Sequence, residues 1–349
     1  MKTVAYGVDE PHGKFHEMNV ERREVGDDDV LIDIEYCGIC HSDIHTANNE
    51  WGGAMYPVVP GHEIVGTVRQ TGKNVTDHRV GDRVGVGCMV DSCRNCEECR
   101  KGNEHYCENT VFTYNSHDSH TGGVTYGGYS GQVVVDRNFV LKIPENLDFA
   151  ATAPLLCAGI TTYSPLRFWN VKKGDRVAVA GLGGLGHMGV KLASAMGADV
   201  TVLTTSPSKV DEAKRLGAQG VILSGNKDEL KKHRGEFDFI LDTIPAVHDL
   251  NLYLSLLKPE GALVLVGLPE RGNSYNIYAG ALVGGRKTLA GSNIGGIRET
   301  QEMLDFCGKH DITADIEMIG PEEINRAYER VVKSDVKYRF VIDMKGRNN

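Results

Sequence analysis

One stretch of the chain restricts its architecture more than any other. Arg176-Val177-Ala178-Val179-Ala180 has the length and apolar character of a buried strand. It passes directly into Gly181-Leu182-Gly183-Gly184-Leu185-Gly186, and an Ala-rich segment of helical character follows to about Met196. Strand, glycine turn and helix in that order form the phosphate-binding corner of a doubly wound sheet. Gly181 permits the tight turn, Gly183 lets the backbone approach a pyrophosphate, and Gly186 lets helix and strand pack closely. The helix N-terminus then presents free amides and a partial positive charge to the phosphates.

The surrounding pattern extends this corner into a domain. Strands are expected at residues 199–203, 221–223, 237–242 and 262–266, and a helix at 209–216. Strands alternating with helices indicate a parallel sheet covered on both faces. An Ala-rich helical run over 150–163 opens this region. The preceding part is different: residues 30–36, 64–68, 81–86 and 131–135 are short strand-like runs among turn residues. After residue 289 the alternation fades, with a helix expected at 300–309 and a final strand at 336–342. The expected organisation is α/β, with a β-rich domain over 1–151 completed by 290–349, and a doubly wound cofactor domain over 152–289.

Bulk properties agree with two globular domains. A chain of 349 residues exceeds one ordinary core, and 41% hydrophobic with 24% charged residues describes a folded protein. The formal net charge of −9 offers no footprint for nucleic acid or an anionic membrane. No apolar run approaches the roughly 18 residues needed to span a bilayer. The N-terminus lacks the apolar centre of a signal peptide, so the expected location is the cytoplasm.

The end of the second strand indicates which dinucleotide is bound. A site for NAD would place Asp or Glu there to hold the adenosine ribose hydroxyls. Here the strand ends in Leu203-Thr204-Thr205-Ser206-Pro207-Ser208-Lys209, and Asp199 lies at its start. Hydroxyls with Lys209 suit the 2′-phosphate of NADP instead. A charge-assisted hydrogen bond contributes roughly 1.5–3 kcal/mol, enough for about ten- to hundredfold preference.

Nine cysteines would be puzzling if scattered, but four fall between Cys93 and Cys107. Cys93, Cys96 and Cys99 are separated by two-residue gaps, and Cys107 follows. Four thiolates at this spacing close a tetrahedral zinc with no open position, a structural site. Redox dithiols or an iron–sulfur cluster are the alternatives. A second set is dispersed: Cys40, His62 and Cys157. Two cysteines and one histidine match an open zinc site with a fourth place for water or substrate, but buried cysteines are also common core residues, and spacing alone does not separate the two.

The chain resembles the zinc-containing medium-chain dehydrogenases, in particular the cinnamyl alcohol dehydrogenase branch with its bacterial NADPH-dependent aldehyde reductases. The residues that carry the resemblance are Cys40-His41-Ser42-Asp43-Ile44-His45, Pro60-Gly61-His62-Glu63, the four-cysteine lobe, Leu155-Leu156-Cys157-Ala158-Gly159-Ile160-Thr161, the glycine turn with Gly186-His187-Met188-Gly189, and Ala290-Gly291-Ser292-Asn293-Ile294-Gly295-Gly296. The resemblance implies a GroES-like first domain, a Rossmann second domain and a homodimer. It implies two zinc ions per subunit, with Cys40, His62 and Cys157 on the catalytic one and Glu63 as an alternative ligand. Ser42 and His45 would form a proton relay, Ser42 reaching the nicotinamide ribose. Thr161, Gly181 to Gly186, Thr204, Thr205, Ser206, Lys209, Thr243, Gly267, Ser292, Asn293 and Ile294 would contact NADP(H). Trp51 and Phe112 stand where the plant lignin enzymes carry a smaller aliphatic residue and a tryptophan, which implies a reshaped substrate pocket. Ser42 stands where Thr is common, and keeps the hydroxyl.

The expected activity is therefore hydride transfer between NADP(H) and a primary alcohol or aldehyde. Zinc would act as Lewis acid, with Ser42 and then His45 carrying the proton outward. Rival readings are a zinc-free quinone or enoyl reductase, an NAD-dependent polyol dehydrogenase, and a non-catalytic NADPH- or zinc-binding protein. The two cysteine sets oppose the first, the missing acidic residue opposes the second, and an intact relay opposes the third.

Overall fold

The computed structural model describes residues 1–269 and 272–346. The chain divides into two compact units, one formed by Met1–Ile160 with Gly295–Asn349 and the other by Thr161–Ile294. The division falls inside the helix Ala158–Phe168, nine residues beyond the expected boundary at 151.

The first unit is built on a seven-stranded sheet. Its order is Ile316–Ile319, Arg339–Asp343, Asp29–Gly38, Ile64–Thr71, Arg83–Val86 and Leu141–Lys142, with Gln132–Asp136 also pairing Asp29–Gly38. All these pairings are antiparallel except that of Ile316–Ile319 with Arg339–Asp343. Asp29–Gly38 is the centre, since it pairs three other strands. Val30, Ile32 and Ile34 alternate inward and are fully buried. The C-terminal segment thus joins the N-terminal one in a single sheet. Its last strand, Arg339–Asp343, begins three residues later than the pattern over 336–342 suggests.

The second unit is a six-stranded sheet whose pairings are all parallel. Its order is Gly220–Leu223, Asp199–Thr204, Arg176–Ala180, Phe237–Asp242, Leu257–Leu265 and Thr288–Gly291. In chain order this is 3-2-1-4-5-6, the doubly wound arrangement. Val177 to Ala180 are fully buried, as are Val200, Val202 and Leu203 beside them. Buried on both faces, parallel strands need continuous apolar runs rather than alternation. The sheet changes winding direction between Arg176–Ala180 and Phe237–Asp242, which leaves a crevice outside their carboxyl ends.

Candidate active site

In the first unit, Cys40, His62, Glu63 and Cys157 each offer one ligand atom, and these atoms all lie within 4.8 Å of one another. Three separate pieces of chain deliver them. Cys40 is the N-cap of the helix His41–Ala47, and His62-Glu63 immediately precede the strand Ile64–Thr71. Cys157 sits between the 3₁₀ turn Ala153–Leu156 and the helix Ala158–Phe168, at φ −128° and ψ −68°. The helical run expected over 150–163 is broken at this residue, and the break turns its sulfur toward Cys40.

The distances suit zinc. Cys40 Sγ and Cys157 Sγ are 3.8 Å apart, and a tetrahedron with Zn–S near 2.3 Å has an edge of about 3.8 Å. The hydrogen bond between the two sulfurs holds Cys40 well below the ordinary thiol range and raises Cys157 in exchange. Although burial lowers the His62 pKa, the charge of Asp43 raises it well above the ordinary value. His62 Nδ1 lies 3.1 Å from Asp43 Oδ1, which leaves Nε2 to face the cysteines.

Two charged residues to which the sequence assigns no role organise this centre. Asp43 is fully buried and accepts from Cys40 N at 2.8 Å, Gly61 N at 3.3 Å and the Tyr129 hydroxyl at 3.1 Å, besides the imidazole. Arg339, on the last strand, forms a buried ion pair with Glu63. Burial raises the Glu63 pKa to about 7, against the opposing charge of Arg339. Glu63 Oε2 has no hydrogen-bond partner among the described residues. A Cβ at position 38 would overlap that oxygen, so glycine there is what admits the carboxylate. A buried carboxylate with one oxygen held by arginine and the other unpaired is a donor in reserve.

Beside the cluster, the Ser42 hydroxyl donates to Cys40 Sγ at 3.0 Å. One turn further along the same helix, His45 Nδ1 pairs with Glu50, and its ring stacks on Trp51 at 4.6 Å between centroids. The structure therefore places Ser42 against the ligand set and joins His45 to Glu50 and Trp51. Phe112 lies on the short strand Val111–Phe112 and is 43% exposed; the ring that stacks on His62, at 5.7 Å, is that of Tyr114.

The lobe holds the other cysteines. The sulfurs of Cys93, Cys96, Cys99 and Cys107 lie within 4.8 Å of one another, and no disulfide links them. Backbone amides aim at the sulfurs: Cys96 N donates to Cys93 Sγ and Cys99 N to Cys96 Sγ, both at 3.4 Å, and Asn109 N donates to Cys107 Sγ at 3.3 Å. Amides of Asn95 and Cys96 bring the Cys93 pKa down to about 6.

In the second unit, Gly181 stands at φ +89°, the conformation that glycine alone adopts cheaply. A Cβ on Gly186 would overlap the Gly181 carbonyl, whereas one on Gly183 would meet nothing within 4 Å. The first supports tight helix–strand packing, and the second leaves the Gly183 backbone open to a ligand. Leu182 is buried, Leu185 precedes the helix Gly186–Ala195, and Gly184 O accepts from the imidazole of His187 at 2.8 Å. Lys209 Nζ donates to Leu182 O at 2.8 Å. Thr204 Oγ1 accepts from Ser206 N at 3.2 Å, and Thr205 is exposed. Gly181, Leu182, Thr204, Thr205, Ser206 and Lys209 line a cavity of about 320 Å³. Thr243 Oγ1 donates to Ala180 O at 2.8 Å, and Gly267 N donates to Asp242 O at 3.1 Å. Ser292 N donates to Leu265 O at 3.0 Å, Asn293 is exposed, and Ile294 takes φ +36°. Thr161 is buried in the helix Ala158–Phe168.

A parallel sheet with this glycine turn, together with two zinc-type donor sets, defines a zinc-binding dehydrogenase. Comparison with known proteins agrees. Residues 26–145 match the family of the alcohol dehydrogenase GroES-like domain, and residues 184–309 match that of the zinc-binding dehydrogenase. The chain is 56% identical to NADP-dependent alcohol dehydrogenase C 1 of Mycolicibacterium smegmatis, over 98% of each chain. It is 53% identical to the aldehyde reductase YahK of Escherichia coli, again over 98% of each. The structure of CAD from Helicobacter pylori complexed with NADP(H) superposes with a TM-score of 0.94 at 44% identity, covering 99% of both chains. The chain belongs to the zinc-containing medium-chain alcohol dehydrogenases, in the branch of the cinnamyl alcohol dehydrogenases.

Proposed function

We infer that the protein is an NADP(H)-dependent alcohol dehydrogenase and aldehyde reductase with one catalytic and one structural zinc per subunit. The observation that carries this reading is the cluster of Cys40, His62 and Cys157 with Glu63 drawn aside by Arg339. Three strong donors, with a fourth, the Glu63 carboxylate, engaged by Arg339, are the protein's share of a site that also takes substrate. Zinc bound there supplies Lewis acidity toward an alcohol or carbonyl oxygen, and NADP(H) accepts or supplies the hydride.

The chain's own residues handle the proton and the cofactor. Ser42, hydrogen-bonded to a ligand sulfur, both donates and accepts, so it takes the proton from an alcohol or returns it to a reduced carbonyl. His45, a turn away and oriented by Glu50, forms the outer end of that relay. Asp43 fixes the His62 ring, so that one nitrogen stays available to the metal. Trp51, packed on His45, shapes the substrate end together with Phe112. Lys209 supports NADP over NAD, since it lines the same cavity as Thr204, Thr205 and Ser206 and no carboxylate ends that strand.

A homodimer is part of this reading. The strand Thr288–Gly291 is the edge of its sheet, and Tyr278 and Val283 nearby in the chain are 72% and 81% exposed. No helix of the described residues is long and apolar enough to cross a membrane. Ligand cysteines need reduced sulfur, which favours a cytoplasmic setting.

The test is a steady-state assay with benzaldehyde and NADPH before and after chelation, with Ser42→Ala in parallel. Activity should vanish on chelation, and the variant should lose turnover while retaining its zinc. Undiminished turnover in Ser42→Ala would remove the relay, and chelator-resistant activity would remove the metal from the reaction.

A further inference from the structure

One wall of the cofactor cavity has no role in the account above. Besides the glycine turn and the segment that ends in Lys209, the cavity is lined by Ile244, His248, Leu252 and Tyr253. His248 follows the strand Phe237–Asp242 and precedes the helix Leu250–Leu256. Its side chain is 18% exposed, and both ring nitrogens are engaged. Nε2 lies 2.8 Å from Asp242 Oδ2, and Nδ1 lies 2.8 Å from the Ala246 carbonyl oxygen.

Counting protons decides the state of this ring. A carbonyl oxygen only accepts, and the fully buried Asp242 carboxylate also accepts from Ile244 N at 3.1 Å. Neutral imidazole owns a single N–H. Two donor contacts therefore require two ring protons, and the geometry is that of an imidazolium. Partial burial acts against the charge, but the hydrogen bond and the charge of Asp242 outweigh it, and the His248 pKa is raised. The groups that face the ring are Asp242, Asp249, Tyr253 at 5.1 Å and Tyr275 at 5.7 Å, with Lys209 on the same cavity.

We propose that His248 is an adenosine-binding residue: an imidazolium pinned by Asp242 and Ala246, whose ring packs on the adenine while Lys209 holds the 2′-phosphate. Both N–H groups are already committed, so the ring has no hydrogen bond left for the base and acts through its face. A cation over an aromatic base is attracted to its π system, and stacking on a base is indifferent to groups elsewhere on the nucleotide. His248 therefore serves NADP(H) and NAD(H) equally. Discrimination between them belongs to Lys209.

This inference rests on the cofactor reading above, and calorimetric titration of the zinc-loaded full chain separates the two. NADPH and NADH are titrated into wild type, His248→Gln and Lys209→Ala. His248→Gln should weaken both cofactors by the same factor, about tenfold, with zinc content unchanged. Lys209→Ala should weaken NADPH and spare NADH. An unchanged Kd for both cofactors in His248→Gln would overturn the proposal, as would a loss confined to NADPH. Nitrogen-15 spectra of wild type provide a second readout that needs no variant. Protons on both His248 nitrogens at neutral pH support the imidazolium, and a single protonated nitrogen removes it. Failure of wild type to bind NADPH would overturn the functional reading itself, and this inference with it.

Discussion

The two metal-type clusters use the same donor chemistry and are assembled in opposite ways. The lobe collects Cys93, Cys96, Cys99 and Cys107 from one excursion of chain, and local amides of Cys96, Cys99 and Asn109 complete it. The other cluster draws Cys40, His62 and Cys157 from three distant segments, and its supporting groups are charged and buried. A self-contained loop can organise four thiolates with little help from the remainder of the fold. An open site needs the fold to hold fewer donors just as firmly, and Asp43 and Arg339 supply that rigidity.

The largest effect that would sharpen this contrast is on turnover. Cys157→Ser should lower kcat by roughly a thousandfold or more, since about 4 kcal/mol of charge stabilisation is removed, while the lobe keeps its metal. Turnover near wild type with only the lobe loaded would break the contrast. Arg339→Met comes next, because it leaves the buried Glu63 without its ion-pair partner. A fall in unfolding free energy of about 3–5 kcal/mol is expected by denaturant titration, with Glu63→Gln in the same chain restoring most of it. Asp43→Asn should weaken zinc at the dispersed site by about ten- to hundredfold in chelator competition and leave the lobe unaffected. The smallest effect on turnover belongs to Cys96→Ser. It should release one metal and lower the unfolding temperature, yet leave kcat of the folded protein within about twofold, since a closed structural site does no chemistry.

How far the sequence discloses each cluster follows the same division. The lobe is legible because two-residue gaps are themselves the geometry, and the glycine turn because its strand and helix are contiguous with it. Strands at 176–180 and 237–242 coincide with the observed ones, since parallel strands buried on both faces stand out as continuous apolar runs. Asp43 and Arg339 were not legible. Asp43 sits among the very motif residues that carry the family resemblance, but its partners Gly61, His62 and Tyr129 are brought to it only by tertiary folding. Arg339 lies 276 positions from Glu63, in a strand that reads as ordinary sheet. The break at Cys157 is not legible, because Ala-rich composition signals helix throughout. Tyr114 is not legible either, because its stacking on His62 is set by tertiary folding.

Asp43 has one more consequence. Its two oxygens bind the backbone at Cys40 and Gly61 and the imidazole of His62, so the spacing between those ligands is set by a single carboxylate and not by the chain that runs between them. That intervening loop, which carries Trp51, is thereby released from any duty to the metal. Beyond Glu50 and Trp51, which hold His45, it can be rewritten to suit a different aldehyde while the spacing of the donors stays fixed.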